Sequence, residues 1–219
     1  MNHNLFALFQ SRFPSDRSKP FIETAGGRTY TYAEAEQASG RFAGLLGKLG
    51  VQPGDRLAVQ VEKSPEAVFL HLASLRLGAV YLPLNTAYRA AEMKHFLSDA
   101  EPKVLVCRPE DEAERGALAH DRGVARVLSL DGEGHGSLVE DSAGLDADYP
   151  TAETGPDEIA ALLYTSGTTG KPKGAMLSHH NLSSNLLTLH RAWGWNSADV
   201  LLHALPLFHT HGLFVALGC

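Results

Sequence analysis

The sequence predicts an α/β fold built mainly of parallel sheets flanked by helices, on three observations. Short apolar runs rich in Val, Leu and Ile recur along the chain. Segments with helical spacing of apolar residues separate them, and Gly or Pro punctuates most of the joins. Strands that alternate with helices in this way pair in parallel, because each helix carries the chain back to the edge where the next strand starts.

The elements follow in order. FIET and RTYTY read as a hairpin turned through Ala25-Gly26-Gly27. Thr31 and Glu34 form a capping box, and Phe42, Leu45, Leu46 and Leu49 then mark a helix stopped at Gly50. LAVQV is a short buried strand. Ser64-Pro65-Glu66 supplies an N-cap, a first-turn proline and a favourably placed acid for a helix that closes at Gly78. Tyr81 to Leu84 is the next strand, and Met93, Phe96 and Leu97 mark a helix ended before Pro102. VLVC follows, then a polar helix near Asp111 to His120 and a strand, VLSL, from Val127. The stretch from Asp131 to Asp157 is rich in Gly, Asp, Glu and Thr and has no period. It reads as a linker between a subdomain at about 1–130 and the start of a second at about 158–219. Strand Ile159–Leu163, a glycine loop and strand Ala175–Leu177 open that second unit, and Leu182, Leu186, Leu189 and Trp193 stripe one face of a helix. The chain stops at Cys219 inside an apolar run, HGLFVALGC, so the sequence reads as the front part of something longer.

Composition narrows the functional classes. Hydrophobic residues make up 44% and charged residues 20%, and the formal net charge is −6, which argues against nucleic acid as a partner. Two cysteines, Cys107 and Cys219, make no disulfide framework or thiolate metal site, so a reducing, cytoplasmic setting is expected. The N-terminus lacks the charge and apolar core of a secretory signal, and no apolar run reaches the roughly 20 residues of a membrane span. The sequon at Asn181 is then incidental.

One stretch concentrates chemistry. Residues 164–174, YTSGTTGKPKG, carry hydroxyls at Thr165, Ser166, Thr168 and Thr169, glycines at 167, 170 and 174, and lysines at 171 and 173, directly after a buried strand. Glycines let backbone N–H groups approach oxyanions, hydroxyls add neutral donors, and lysines add charge. A mobile surface loop has similar residues, but not with this density of donors. The spacing excludes a Walker loop, since only two residues separate Gly167 from Gly170 and Pro172 follows Lys171 where a hydroxyl is required. No Rossmann glycine pattern is present. The histidines His203, His209 and His211 raise the alternative of a metal site. With no cysteine nearby and Asp199 the nearest acid, no metal site is assigned. His179 and His180 read as a solvated helix start, capped by Ser178 or Asn181, with no catalytic role.

YTSGTTGKPKG resembles the phosphate-loop signature of the AMP-forming acyl-CoA synthetases, members of the adenylate-forming superfamily. GVQPGDRLAV, LGAVYLPLN, AEPKVLVC and AMLSHHNL are similar to segments of the same family in the same order. Val61-Glu62-Lys63-Ser64, Leu82 to Tyr88 and His203 to Ala216 look most similar to malonyl-CoA synthetases.

The resemblance implies the N-terminal part of the adenylate-forming fold, incomplete at the C-terminus. It also implies a two-step reaction with ATP, Mg²⁺ and coenzyme A. A carboxylate attacks the α-phosphate to give an acyl-adenylate and pyrophosphate, and the thiol of coenzyme A then displaces AMP. Carried over by position, Thr165, Ser166, Gly167, Thr168, Thr169 and Gly170 hold the β- and γ-phosphates. Lys173 joins them while Lys171 faces solvent. His209 is the gating and catalytic position of the acyl pocket, and Thr210, His211 and Gly212 shape its wall. The small carboxylate is expected to be malonate. A medium- or long-chain fatty acid is the alternative within the same chemistry, and a non-catalytic nucleotide-binding fragment is the alternative outside it. The Mg²⁺-binding acid, the hinge and a catalytic lysine match nothing in these 219 residues.

Overall fold

The computed structural model describes residues 2–165 and 172–219. Helix α1 (Leu5–Arg12) precedes the hairpin of β1 (Pro20–Glu23) and β2 (Thr29–Thr31), and α2 (Tyr32–Lys48) follows. Five strand–helix units come next: β3 (Arg56–Gln60) with α3 (Pro65–Leu77), β4 (Val80–Pro83) with α4 (Ala90–Ala100), β5 (Val104–Cys107) with α5 (Glu112–His120), β6 (Arg126–Ser129) with α6 (Ser137–Ser142), and the hairpin of β7 (Ile159–Thr165) and β8 (Lys173–Ser178) with α7 (His179–Trp193). A π-helical turn, His211–Ala216, lies near the end.

The local signals act as their chemistry requires. Thr31 accepts from the Glu34 N–H while the Glu34 carboxylate accepts from the Thr31 N–H, closing the capping box of α2. Ser64 accepts from the Ala67 N–H at the head of α3, and Gly78 ends that helix at φ +77°, a left-handed conformation that costs glycine little. At the head of α7 both expected caps operate together, Ser178 accepting from Asn181 and Asn181 from Ser178.

Six strands form one sheet in the order β6-β5-β3-β4-β7-β8, parallel except for the antiparallel β7–β8 pair. The alternation of side chains divides two apolar layers. Leu57, Val59, Tyr81, Val104 and Val106 face a core shared with α1, α2, α3 and α7. Ala58, Leu82, Leu105 and Cys107 face Met93, Phe96 and Leu97 of α4 and Ala119 of α5. Parallel strands covered on both faces are continuous apolar runs, which is why LAVQV, VYLP and VLVC lack polar alternation. Among the described residues, no helix is long and apolar enough to cross a membrane.

Three features differ from the sequence reading. Helix α1 had no counterpart in it. Asn4 caps α1 by accepting from the Phe6 N–H, and Leu5 and Phe6 are buried, so the Asn4 cap and the apolar pairs Leu5/Phe6 and Leu8/Phe9 were the available signal. The stretch 131–157 is not a plain connection: it contains α6 and is strapped to the helical layer. Arg76 donates to the Tyr149 carbonyl at 2.6 Å, Ala152 N–H donates to the Arg76 carbonyl at 2.8 Å, and Asn4 bridges Leu75 and Ala152. The sheet continues across this stretch, because β7 joins β4.

His179, read from the sequence as part of a solvated helix start, is not solvated. It is fully buried, and its Nδ1 accepts from the Leu5 N–H at 3.0 Å. That bond puts the proton on Nε2, which is buried with no partner among the described residues. Burial lowers its pKa, partly opposed by Glu158. His180 is exposed.

Two predictions follow from packing. Gly40 lies inside α2 where a Cβ would overlap the backbone carbonyl of Ala147, whereas a Cβ on Gly116 in α5 meets nothing within 4 Å. Ala is favoured over Gly in a helix by about 1 kcal/mol, but overpacking costs roughly 1–3 kcal/mol. Gly40→Ala is therefore expected to lower the urea midpoint and Gly116→Ala to raise it. Equal signs would mean that the close approach of Ala147 at Gly40 carries no penalty. The second concerns His71 of α3, buried against Tyr81 and Phe214 and pulled down by burial from 6.5 to about 3. The folded state keeps this ring neutral while the unfolded chain protonates it, so stability is complete above pH 6.5 and falls as pH drops toward 3. The fall contributes at most about 1.4 kcal/mol per pH unit. Urea titrations between pH 7 and 4 are expected to show a shallower fall in His71→Leu.

Candidate functional site

The two ends of the phosphate-loop motif are the two arms of the β7–β8 hairpin. Thr165 pairs with Lys173 in register at its loop end, and both are exposed. Ser166, Gly167, Thr168, Thr169, Gly170 and Lys171 lie outside the described residues. Tyr81 of β4 stands opposite Ala161, so β4 ends at Pro83 level with Leu163, and Tyr164 and Thr165 run past it at the carboxyl edge of the sheet. Gly174 lies opposite Tyr164, with the Leu162 and Tyr164 side chains over the space a Cβ would take.

Helix α4 flanks this end of the hairpin. The Tyr164 hydroxyl donates to Asp99 Oδ2 at 2.6 Å, and the Nε2–H tautomer of His95 donates to the Pro172 carbonyl at 3.4 Å. Phe96 lies between Tyr88 and Tyr164, with ring centroids 4.9 and 4.5 Å away. Burial, the Asp99 bond and the Asp99 charge raise the pKa of Tyr164, so its hydroxyl remains a donor. Of these α4 residues the sequence marked only Phe96, as part of the helix's apolar face, and neither His95 nor Asp99. Nothing in their spacing distinguishes a helix face that grips a loop from one that faces water.

The second group of candidates lies at 203–212. His209, Thr210 and His211 are exposed and Gly212 is buried. A Cβ on Gly212 would overlap the Pro206 carbonyl, so glycine there permits the fold-back of the chain. His203 closes this fold-back: its Nε2–H donates to the Gly212 carbonyl at 2.8 Å. The Lys63 ammonium donates to the carbonyls of His203 at 2.9 Å and Leu205 at 3.5 Å. Lys63 follows β3, so two segments of the sequence resemblance meet here. Leu213 and Phe214 anchor the π-helical turn in the core, where Phe214 packs on His71 at 5.6 Å. This anchoring holds His209 and His211 at the surface. With its imidazole engaged by Gly212, His203 is a structural histidine.

In open parallel sheets, ligands commonly sit where successive connections leave in opposite directions, here between the carboxyl ends of β3 and β5. That position is bridged by side chains. Arg115 donates to Gln60 Oε1 and the Tyr88 carbonyl, both at 3.0 Å, and Arg108 pairs with Glu62 at 3.4 Å and with Asp111. Cys107 nearby is buried, which pushes its thiol up to about 12 and leaves it unreactive. Among the described residues, Asp131, Glu133 and His135 bring metal-ligating atoms within 4.8 Å of one another. Asp131 Oδ1 already accepts from the N–H groups of Glu133 and His135, both at 2.8 Å, as a turn-stabilising aspartate does.

Comparison with known proteins covers nearly the whole chain. The family model described as AMP-binding enzyme matches residues 9–219. Oxalate–CoA ligase of Arabidopsis thaliana is 32% identical over 94% of this chain and 40% of its own length. Long-chain-fatty-acid–CoA ligase FadD13 of Mycobacterium tuberculosis is 34% identical over 94% of this chain and 41% of its own. The ATP-bound crystal structure of MatB from Rhodopseudomonas palustris superposes with a TM-score of 0.94 at 51% identity, covering 99% of this chain and 42% of that one. The chain thus spans about two-fifths of the length of these relatives. On the match across nearly all of its residues, the chain belongs to the AMP-binding enzyme family.

Proposed function

We propose that this protein activates a small carboxylic acid with ATP, forming an acyl-adenylate and pyrophosphate, and transfers the acyl group to the thiol of coenzyme A. The observation that carries this reading is the hairpin that pairs Thr165 with Lys173 at the carboxyl edge of the sheet, on either side of the Ser/Gly/Thr segment. Ser166, Gly167, Thr168, Thr169 and Gly170 then supply hydroxyl and N–H donors to the β- and γ-phosphates, and Lys173 supplies charge. Magnesium enters as the counter-ion of ATP. The physical task is to bring an anionic carboxylate to an anionic triphosphate, and preorganised donors offset that repulsion. Support also comes from the ATP-bound MatB structure at 51% identity.

We assign malonate as the acid, on the sequence resemblance and on the polar, exposed run His209-Thr210-His211. His209 gates the acyl pocket in this reading, and Thr210, His211 and Gly212 shape its wall. A fatty acid is the competing substrate, favoured by the likeness to a long-chain-fatty-acid ligase. The cytoplasm is the proposed setting.

The test is ATP–pyrophosphate exchange by the product of the complete open reading frame, across a panel of carboxylates. Exchange dependent on malonate is expected. Dependence on octanoate instead would replace the substrate assignment, and no exchange with any acid would leave a nucleotide-binding protein without this activity. The double variant Thr168→Ala/Lys173→Ala is expected to lower exchange by at least about 10²-fold with an unchanged melting temperature. Wild-type exchange in that variant would overturn the phosphate assignment.

A further inference from the structure

We propose that helix α4 is the clamp that sets where the two ends of the phosphate-loop segment lie over the sheet, with Asp99 and His95 as positioning residues. This rests on the phosphate-binding reading above.

The Thr165–Lys173 pairing fixes the spacing of these ends but not where they lie relative to the rest of the sheet. β7 has lost its β4 neighbour by Tyr164, and β8 is the edge of the sheet. One residue on each side of 165–171 is instead held by α4. Asp99 accepts from the Tyr164 hydroxyl, and His95, one turn earlier on the same helix face, donates to the Pro172 carbonyl. Pro172 has no N–H to give to a sheet partner, and its carbonyl is the atom His95 engages. Phe96, between the two, packs on the Tyr164 ring. A single rigid element therefore touches both ends of the segment.

A clamp must itself be immobile, and α4 is tied at both ends to the central strand β3. At the start of the strand, Arg56 donates to the Ala100 carbonyl at 2.6 Å and the Glu101 carbonyl at 2.9 Å, capping the last turn of α4. At its end, Gln60 donates to the Asn85 and Tyr88 carbonyls, both at 2.9 Å, just before the helix begins. Buried Arg115 holds Gln60 and the Tyr88 carbonyl in turn. Met93, Phe96, Leu97 and Ala100 bury the sheet-facing side. The position of His95 and Asp99 is thus referred to the middle of the sheet, and Tyr164 and Pro172 are referred to it through them.

The experiment uses the product of the complete open reading frame, with ATP–pyrophosphate exchange and melting temperature as readouts. Asp99→Ala and Tyr164→Phe are each expected to raise the KM for ATP about tenfold, the equivalent of one charge-assisted hydrogen bond. The KM for the carboxylate and the melting temperature should stay near wild type. The two together should cost no more than either alone, and Asp99→Asn, which keeps an acceptor, should recover most of the loss. His95→Ala should act in the same direction and His95→Gln less. Unchanged ATP KM in Asp99→Ala and Tyr164→Phe, while Thr168→Ala/Lys173→Ala abolishes exchange, would overturn the clamp alone. A carboxylate KM that rises equally would also overturn it. Indifference of exchange to the loop variant as well, or no exchange by the wild type, would overturn the phosphate reading and the clamp with it.

Discussion

Strand β3 is apolar along its middle and polar at both ends, and the carboxyl edge of this molecule depends on that arrangement. Leu57, Ala58 and Val59 belong to the two cores, while Arg56 and Gln60 each spend their donors on backbone carbonyls at opposite ends of α4. A buried side chain with several donors is costly unless each finds an acceptor, so such a residue tolerates only one placement of the backbone around it. Gln60 is fully buried and Arg115 nearly so, and their mutual bond leaves the loop Asn85–Tyr88 a single course. The polar ends of one strand thus do for helix placement what apolar packing does less selectively.

The opposite face is governed by similar economy. Asn4, Arg76 and His179 are buried polar groups on three different helices or their caps, and each bonds to backbone far away in sequence. Asn4 joins the start of α1 to the end of α3 and to Ala152. Arg76 joins α3 to Tyr149 and Glu36. His179 joins the head of α7 to the head of α1. These bonds order the stretch that composition alone marked as a connection, and they couple α7, which follows the phosphate-loop hairpin, to the N-terminus.

The parts of the fold that were legible in the sequence are those whose cause is local. The capping box at Thr31, the Ser64-Pro65 helix start and the left-handed Gly78 stop each involve a few consecutive residues, and each is present as read, while the two alternative caps read at Ser178 and Asn181 act together. The continuous apolar runs announced parallel strands because both faces are covered. Helix α1 escaped because a short helix with a single buried turn gives a weak period. Burial of His179 escaped because its partner, the Leu5 N–H, is 174 residues away. Of the candidate site, the glycine, hydroxyl and lysine content of 164–174 was visible at once, since those residues are consecutive in the chain. The roles of Lys63, His203, His95 and Asp99 were not, since each bonds to a segment distant in the chain.

The sequence by itself therefore determined the class of fold, the order of its elements and the identity of its most distinctive motif, all consequences of short-range periodicity, capping and spacing. Only the tertiary structure decided that β7 and β8 extend the same sheet as β3 and β4. It also decided that Lys63 and His203 pin the turn behind His209, and that one helix touches both ends of the phosphate-loop segment. Those are matters of which distant backbone carbonyls lie within reach of a buried donor. Local sequence carries no record of that, because the acceptors are the same atoms in every residue.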